Sequence, residues 1–247
     1  GSTFKLVDLI AVLDDKKADT SKIYDSKGGV IEYYGRKVRD SKPGGYGKIS
    51  LARGFELSSN TVLVQSVYDS YKNNPKQFVD RINSYGLNKP LGLPIKGEGK
   101  PVIPQPGTNR WSGVALPWMA FGYGLSVTPL QTLTLYNAVA NDGVMVKPIF
   151  VSEIKEWNKT IKKYNTEVIN PKICSQETLD KVQAVLENVV KRGTGSKLYS
   201  KDFSMAGKTG TAQVNYKDKS KLYYASSFVG YFPADEPKYS CIIVVHK

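Results

Sequence analysis

Gly207-Lys208-Thr209-Gly210-Thr211-Ala212-Gln213-Val214 reads as a strand, and two more strand-like runs, 226–233 and 239–246, follow it to the end of the chain. The segments joining them, one rich in Lys and Tyr and one containing Asp235-Glu236-Pro237, suit antiparallel hairpins. Working outward from these strands, the pattern turns helical. Residues 175–192 place Leu179, Val182, Leu186, Val189 and Val190 on one face, with Gly193 as the stop. Thr128-Pro129 supplies a capping hydroxyl and a first-turn proline to a helix that runs to Asn141-Asp142-Gly143. Residues 76–86 predict a short helix, and Thr61, Val64, Val67, Tyr68 and Tyr71 predict another, entered at Ser58-Ser59-Asn60 and stopped at Asn73-Asn74-Pro75. At the start, Leu6, Leu9, Ile10 and Leu13, widened by Phe4, Val7 and Val12, predict a buried helix over 2–14. Helices first and consecutive strands last imply an α+β fold rather than a doubly wound parallel sheet.

The intervening segments read less sharply. Residues 14–47 are polar and Gly-rich, with strand-like pieces at 29–34, and read as surface connection. Residues 87–113 form a long Gly- and Pro-rich loop, and 149–157 reads as a strand of roughly alternating character.

Composition narrows the function class. At 247 residues and 40% hydrophobic content the chain supports a sizeable core without staples. No apolar run reaches the roughly 18 residues a membrane span needs. Thirty-five Lys and Arg against 22 Asp and Glu give a net charge of +13, which suits an anionic partner. The basic residues are scattered (Lys16, Lys17, Lys72, Lys76, Lys162, Lys163, Lys217, Lys219, Lys221), without a basic recognition helix, so nucleic acid is not the expected partner. Cys174 and Cys241 match no metal spacing; no metal or cofactor is expected, and a bridge between the two is left open.

The chemistry-bearing residues form three short motifs. Ser2-Thr3-Phe4-Lys5 puts a hydroxyl and an amine three apart on the first helix, where such residues share a face. A serine beside a lysine that can lose its proton is an activated nucleophile. The same spacing recurs at Ser152-Glu153-Ile154-Lys155, but in a strand-like segment, where residues an odd number apart point to opposite faces. Ser58-Ser59-Asn60 and Lys208-Thr209-Gly210 complete the set. Gly210 on its strand permits close backbone approach by a ligand, and Thr209 and Thr211 offer hydroxyls to an anion. The order Ser-x-x-Lys, Ser-x-Asn, Lys-Thr-Gly is that of penicillin-interacting serine enzymes.

With these motifs the sequence resembles the transpeptidase domain of class B, monofunctional penicillin-binding proteins. The likeness runs through 1–5, 55–60, 122–131, 140–144, Arg192-Gly193-Thr194-Gly195, 206–213 and 227–230, and the wording of 45–60 and 109–131 leans to the division-specific, septal branch. The resemblance implies an antiparallel sheet flanked by helices, an all-helical lobe and an active site between them. It implies a domain over 1–247 cut short at both ends: upstream strands, pedestal and membrane anchor precede it in the family, and a closing helix follows. The implied setting is the cell envelope, anchored in the inner membrane with the catalytic domain on the periplasmic side. The implied partners are peptidoglycan stem peptides, β-lactams and cell-division membrane proteins.

The resemblance also assigns roles. Ser2 would attack a D-alanyl-D-alanine carbonyl; Lys5 would be its base, buried close to Lys208; Ser58 would relay a proton. Asn60 would hold the substrate amide, Thr209, Gly210 and Thr211 would line the carboxylate site, and the backbone N–H groups of Ser2 and Thr211 would form the oxyanion hole. A D-alanyl-D-alanine carboxypeptidase, a β-lactamase, and a sensor or scaffold that keeps the motifs are the other readings. Ser59 stands where β-lactamases of class A have Asp, and neither Glu98 nor Glu153 is placed at the site by sequence. His246, Trp111 and Trp118 read as structural.

Overall fold

A computed structural model describes residues 1–214 and 223–246. Ser2–Phe4 forms one 3-10 turn that feeds α1 (Lys5–Asp14), whose residues from Lys5 to Leu13 are buried on every face. A helix apolar all round belongs in the middle of a core, and α1 packs between α3, α4 and α7, whose ranges follow.

The chain then makes β1 (Ile23–Asp25), the hairpin β2 (Val30–Tyr33) and β3 (Arg36–Arg39), and β4 (Lys48–Ser50), which pairs with β1. Next come α2 (Leu51–Glu56), capped by Ser50, and α3 (Asn60–Tyr71), capped by Ser59, whose hydroxyl accepts from the N–H of Val62. Helix α4 (Pro75–Ser84) starts on the proline that ends α3. The long loop after it holds an isolated bridge between Val102 and Ser126 and leads to α5 (Ala115–Met119).

Thr128 caps α6 (Pro129–Ala140), as the Thr-Pro signal predicts, and Gln131 completes a reciprocal capping box that the sequence reading does not name. Short strands follow: β5 (Met145–Val146), β6 (Glu153–Glu156), β7 (Lys159–Lys163) and β8 (Val168–Asn170). Helix α7 (Gln176–Arg192) buries the predicted Leu179, Val182, Leu186, Val189 and Val190. The chain closes with β9 (Ala206–Val214), β10 (Tyr223–Phe232) and β11 (Tyr239–His246), an antiparallel sheet in the order β11-β10-β9.

One face of that sheet carries Ala206, Lys208, Val229 and Tyr231, all buried where α7 lies across β9 and α6 across β10 and β11. The other face presents Tyr224, Tyr239, Ile243 and Val245 to the exterior. The result is the α+β arrangement expected: a sheet flanked by helices, with the turn that starts α1 lying against β9 and β10.

Several expectations change. Residues 14–47 are more than surface connection, because Tyr24, Ser26 and Val38 are buried and the segment ends at the site. In 149–157 only 153–156 is strand, and β6 and β7 form an exposed hairpin with a bulge after Ile154. Lys155 there pairs with Glu153 at 2.6 Å, so the second Ser-x-x-Lys copy is an ion pair on the surface. Cys174 and Cys241 are both free; burial pushes the Cys174 thiol up to about 12. Trp111 and Trp118 pack against the core, and His246 stacks edge-on with Tyr223. Lys217, Lys219 and Lys221 lie outside the described residues. Among the described residues no helix is long and apolar enough to cross a membrane.

Candidate active site

Ser2 sits half-buried in the 3-10 turn that starts α1, where Phe4 N–H donates to the Gly1 carbonyl at 2.9 Å. At three residues per turn, i and i+3 eclipse, so the Ser2 and Lys5 positions are stacked along one side of the chain. The turn is pinned from three directions. Tyr136 of α6 donates its hydroxyl to the Thr3 carbonyl at 2.8 Å. Gly122, at φ +79°, presses against the Gly1 backbone so closely that a Cβ there would lie 2.2 Å from the Gly1 oxygen. Gly210 of β9 faces Thr3, with an added Cβ falling 3.1 Å from Thr3 Cγ2. What comes close to Gly210 is thus the chain's own first turn, where the sequence suggests a ligand.

Lys5 is fully buried, and its Nζ lies on the second motif: 2.7 Å from the Ser58 carbonyl, 3.3 Å from Ser58 Oγ and 2.6 Å from Asn60 Oδ1. Burial lowers its pKa from 10.5 to about 7, against the opposing pull of Asp8 and Asp40. Lys208 is also fully buried; its Nζ donates to the Thr209 carbonyl at 3.2 Å and lies 5.6 Å from the centre of the Phe55 ring. Burial, and after it the charge of Lys5, hold Lys208 well below the usual lysine value. Burial is what depresses Lys5, and the effect between the two cations falls on Lys208.

Ser58 adopts φ +57°, a left-handed conformation uncommon outside glycine, between the end of α2 and the cap of α3. That conformation turns its carbonyl and hydroxyl toward Lys5. Thr209 and Thr211 point to the sheet face opposite Lys208, Thr209 half-buried and Thr211 exposed. All the residues singled out in the sequence therefore gather where the first turn, the α2–α3 junction and β9 meet.

Four further residues at this place are given no role by the sequence. Asp40, directly after β3, receives the backbone N–H of Asn60 (2.7 Å) and Thr61 (3.0 Å) and the hydroxyls of Ser59 and Thr61. It is a second cap for α3 and fixes the Ser-x-Asn segment, while Asn60 Nδ2 donates to the Arg39 carbonyl at 2.7 Å. Asp8, one turn after Lys5, is fully buried with both oxygens lacking a hydrogen-bond partner, and burial raises its pKa well above the carboxylate range. Glu56 and Thr194 tie α2 to the turn after α7 and to β9.

A cavity of about 620 Å³ adjoins the first turn on its β11 side, bounded by Thr3, Gly124, Ser126, Ser227 and Val244. Of the motif residues Gly210 and Thr211 line it, while Ser2, Lys5, Ser58 and Asn60 do not. Among the described residues no group of His, Cys, Asp and Glu is placed to hold a metal ion.

The penicillin-binding protein transpeptidase domain model matches residues 1–247. Stage V sporulation protein D of Bacillus subtilis is 31% identical over 254 residues, covering 99% of this chain and 38% of that protein. Penicillin-binding protein PbpB of Mycolicibacterium smegmatis is 30% identical over 253 residues, covering 97% of this chain and 37% of that one. Peptidoglycan D,D-transpeptidase FtsI of Escherichia coli is 29% identical over 170 residues, 68% of this chain and 27% of that one. The chain thus spans well under half the length of these relatives. Among solved structures, the D,D-transpeptidase domain of a peptidoglycan glycosyltransferase from Eggerthella lenta superposes with TM-score 0.85 at 28% identity, covering 99% of this chain and 59% of that one. Penicillin-binding protein 3 of Mycobacterium tuberculosis in complex with aztreonam gives TM-score 0.86 at 28% identity, covering 99% and 55%. A match along the whole chain, joined to a site in which the three motifs meet, means that this chain belongs to the penicillin-binding protein transpeptidase domain family.

Proposed function

We propose that the chain is the catalytic domain of a serine D,D-transpeptidase that cross-links peptidoglycan stem peptides through an acyl-enzyme on Ser2. The observation that carries this reading is the seat of Lys5: a buried amine near neutrality, held by Ser58 and Asn60 and beside a second buried lysine. Neutral Lys5 has two N–H donors, which the Ser58 carbonyl and Asn60 Oδ1 take at 2.7 and 2.6 Å, and its lone pair is left to accept a hydroxyl proton.

Ser2 Oγ gives its proton to Lys5 as it bonds to the penultimate D-alanine carbonyl carbon. The backbone N–H groups of Ser2 and Thr211 receive the negative oxygen, a contribution of about 3 kcal/mol per donor in such sites. The C–N bond breaks, and the proton passes from Lys5 through Ser58 to the departing D-alanine nitrogen. Asn60 holds the substrate amide, and Thr209 and Thr211, beside Gly210, bind the terminal carboxylate. An amine of a second stem peptide then attacks the ester, its proton leaves through Lys5, and Ser2 regains its hydroxyl hydrogen. A β-lactam enters by the same first step and stays on Ser2.

The carboxylates argue against the β-lactamase reading. Asp40 is engaged in capping α3, Asp8 is buried within α1, Glu98 accepts from the N–H groups of Leu91 and Leu93, and Glu153 pairs with Lys155 on a surface hairpin. A role in septal wall synthesis, anchoring in the inner membrane with the domain on the periplasmic side, and cell-division proteins as partners complete the reading; the wording of 45–60 and 109–131 supports the first.

Intact mass after mixing with benzylpenicillin tests the proposal. A one-to-one adduct that is lost in Ser2→Ala is expected, and its absence from folded protein overturns the reading. A D-alanyl-D-alanine donor offered with an amine acceptor then separates transfer from hydrolysis.

A further inference from the structure

The Arg192-Gly193-Thr194-Gly195 stretch is part of the family likeness, yet the mechanism above gives it no task. In the structure it is fastened to the end of α2, two residues before Ser58. The Glu56 side chain is fully buried there and accepts Arg53 Nη1 at 2.8 Å and both Nε and Nη2 of Arg192, at 3.1 and 2.8 Å. A buried carboxylate is costly unless paired, and a planar guanidinium gripping it through two nitrogens fixes orientation as well as charge. The main chain joins in: Thr194 N–H donates to the Glu56 carbonyl at 3.0 Å, and Arg53 Nη1 to the Arg192 carbonyl at 3.1 Å. At Gly193 an added Cβ would come within 2.4 Å of the Glu56 oxygen, so the turn is pressed directly onto α2.

What this clamp holds out is the Thr194 hydroxyl, whose Oγ1 lies 2.5 Å from Oγ1 of Thr209. Each hydroxyl has one proton to give. With Thr194 donating to Thr209, the Thr209 proton is released for an outside acceptor, and the rotor that carries it is set. We propose that Glu56 is a positioning residue which, through Arg192 and Thr194, aims the Thr209 hydroxyl at the carboxylate of the acyl donor. The inference rests on the reading of Thr209 as a carboxylate ligand given above. It makes the α2–α3 junction the common support of two parts of the site: forward along the chain to the Ser58 relay, and sideways through Thr194 to the grip on the donor's end.

The test compares second-order acylation by benzylpenicillin with acylation by its methyl ester, which has no carboxylate, for wild type, Glu56→Gln, Thr194→Val, Thr194→Ser and the Glu56→Gln/Thr194→Val double variant. Losing one charge-assisted hydrogen bond corresponds to a factor of about ten or more, so the acid-to-ester rate ratio falls about tenfold in Glu56→Gln and in Thr194→Val. Thr194→Ser restores it, and the double variant falls no further than the lower single one. If the two rates fall together, leaving the ratio unchanged, Glu56 only stabilises the fold and the inference is wrong. A Thr194→Val ratio equal to wild type overturns it too, even where Glu56→Gln has lost structure. Absence of any adduct in the wild type, by contrast, removes the transpeptidase reading itself, and a wild type that reacts equally with acid and ester removes the carboxylate role of Thr209.

Discussion

Lys5 Nζ and Asn60 Oδ1 lie 2.6 Å apart, a contact that joins the first turn of α1 to the first residue of α3 across 55 positions of sequence. It places the amine of the first motif inside the second, where water does not reach it. Charge in such a place is disfavoured, and the nearby carboxylates only partly offset that cost.

The reactive state of Lys5 is the neutral amine, and its pKa is lowered to about 7. Acylation by a penicillin therefore rises as pH climbs through about 7 and levels off above it. Lys5→Arg keeps the charge at every accessible pH and loses the base, with a fall of about 100-fold or more. Stopped-flow acylation between pH 5.5 and 9 measures both; a rate that is flat across this range would show that another group takes the proton.

Asp8 gives a stability signature of opposite sense to that of a paired carboxylate. Its folded pKa is raised well above 3.8 by burial, so the folded state keeps a proton that the unfolded chain releases. Stability is then lost as pH rises above the unfolded value, by at most about 1.4 kcal/mol per pH unit for one proton. Asp8→Asn removes this dependence. Urea unfolding at pH 4, 5.5 and 7 should show the variant gaining on wild type at each step, and parallel behaviour of the two would mean that Asp8 is ionised in the fold.

Asp40 ties down the start of the Ser-x-Asn segment through two backbone N–H groups and two hydroxyls. Asp40→Ala orphans two N–H groups at the start of α3 and frees the Ser59 and Thr61 hydroxyls, both buried. Loss of a cap with buried donors costs about 2 kcal/mol. Acylation should fall along with stability, because Asn60 holds Lys5. Denaturant midpoints and acylation rates of Asp40→Ala and Asp40→Asn check this, with Asn, which keeps an acceptor oxygen, expected in between.

What was legible in the sequence follows from how local each signal is. The Thr128 cap, the apolar face of α7 and the strand β9 are set by neighbours within a turn or a strand, and each appears as expected. The three motifs were legible as residue types in order, and their meeting is a long-range result. Asp40 was not legible, because a carboxylate in a polar, Gly-rich stretch looks like any solvated charge until α3 is laid against it. Glu56 and Arg192 both lie in stretches of the family likeness, but their pairing was hidden for a related reason: they are 136 residues apart. Asp8 falls on an otherwise apolar helix, and its burial follows only once α1 is surrounded by α3, α4 and α7.

Gly210 separates two demands on β9. An added Cβ would stand 2.6 Å from Ser227 Oγ, directly across the ladder on β10, and 3.1 Å from Thr3 Cγ2 in the turn that carries Ser2. The first obstacle is a single rotatable hydroxyl, which can swing aside at the cost of a weak bond to the Gly210 carbonyl. The second is pinned by the Tyr136 hydroxyl and by Gly122, so the strand rather than the turn must give way. Gly210→Ala should therefore fold, with an overpacking cost of about 1–3 kcal/mol. Its acylation should fall about 100-fold, because withdrawing β9 takes the Thr211 N–H away from the oxyanion. Adding Ser227→Ala relieves the contact with β10 alone, so the double variant should recover melting temperature but not acylation. Recovery of both would show that the spacing between β9 and β10, rather than the gap between β9 and the first turn, governs the site.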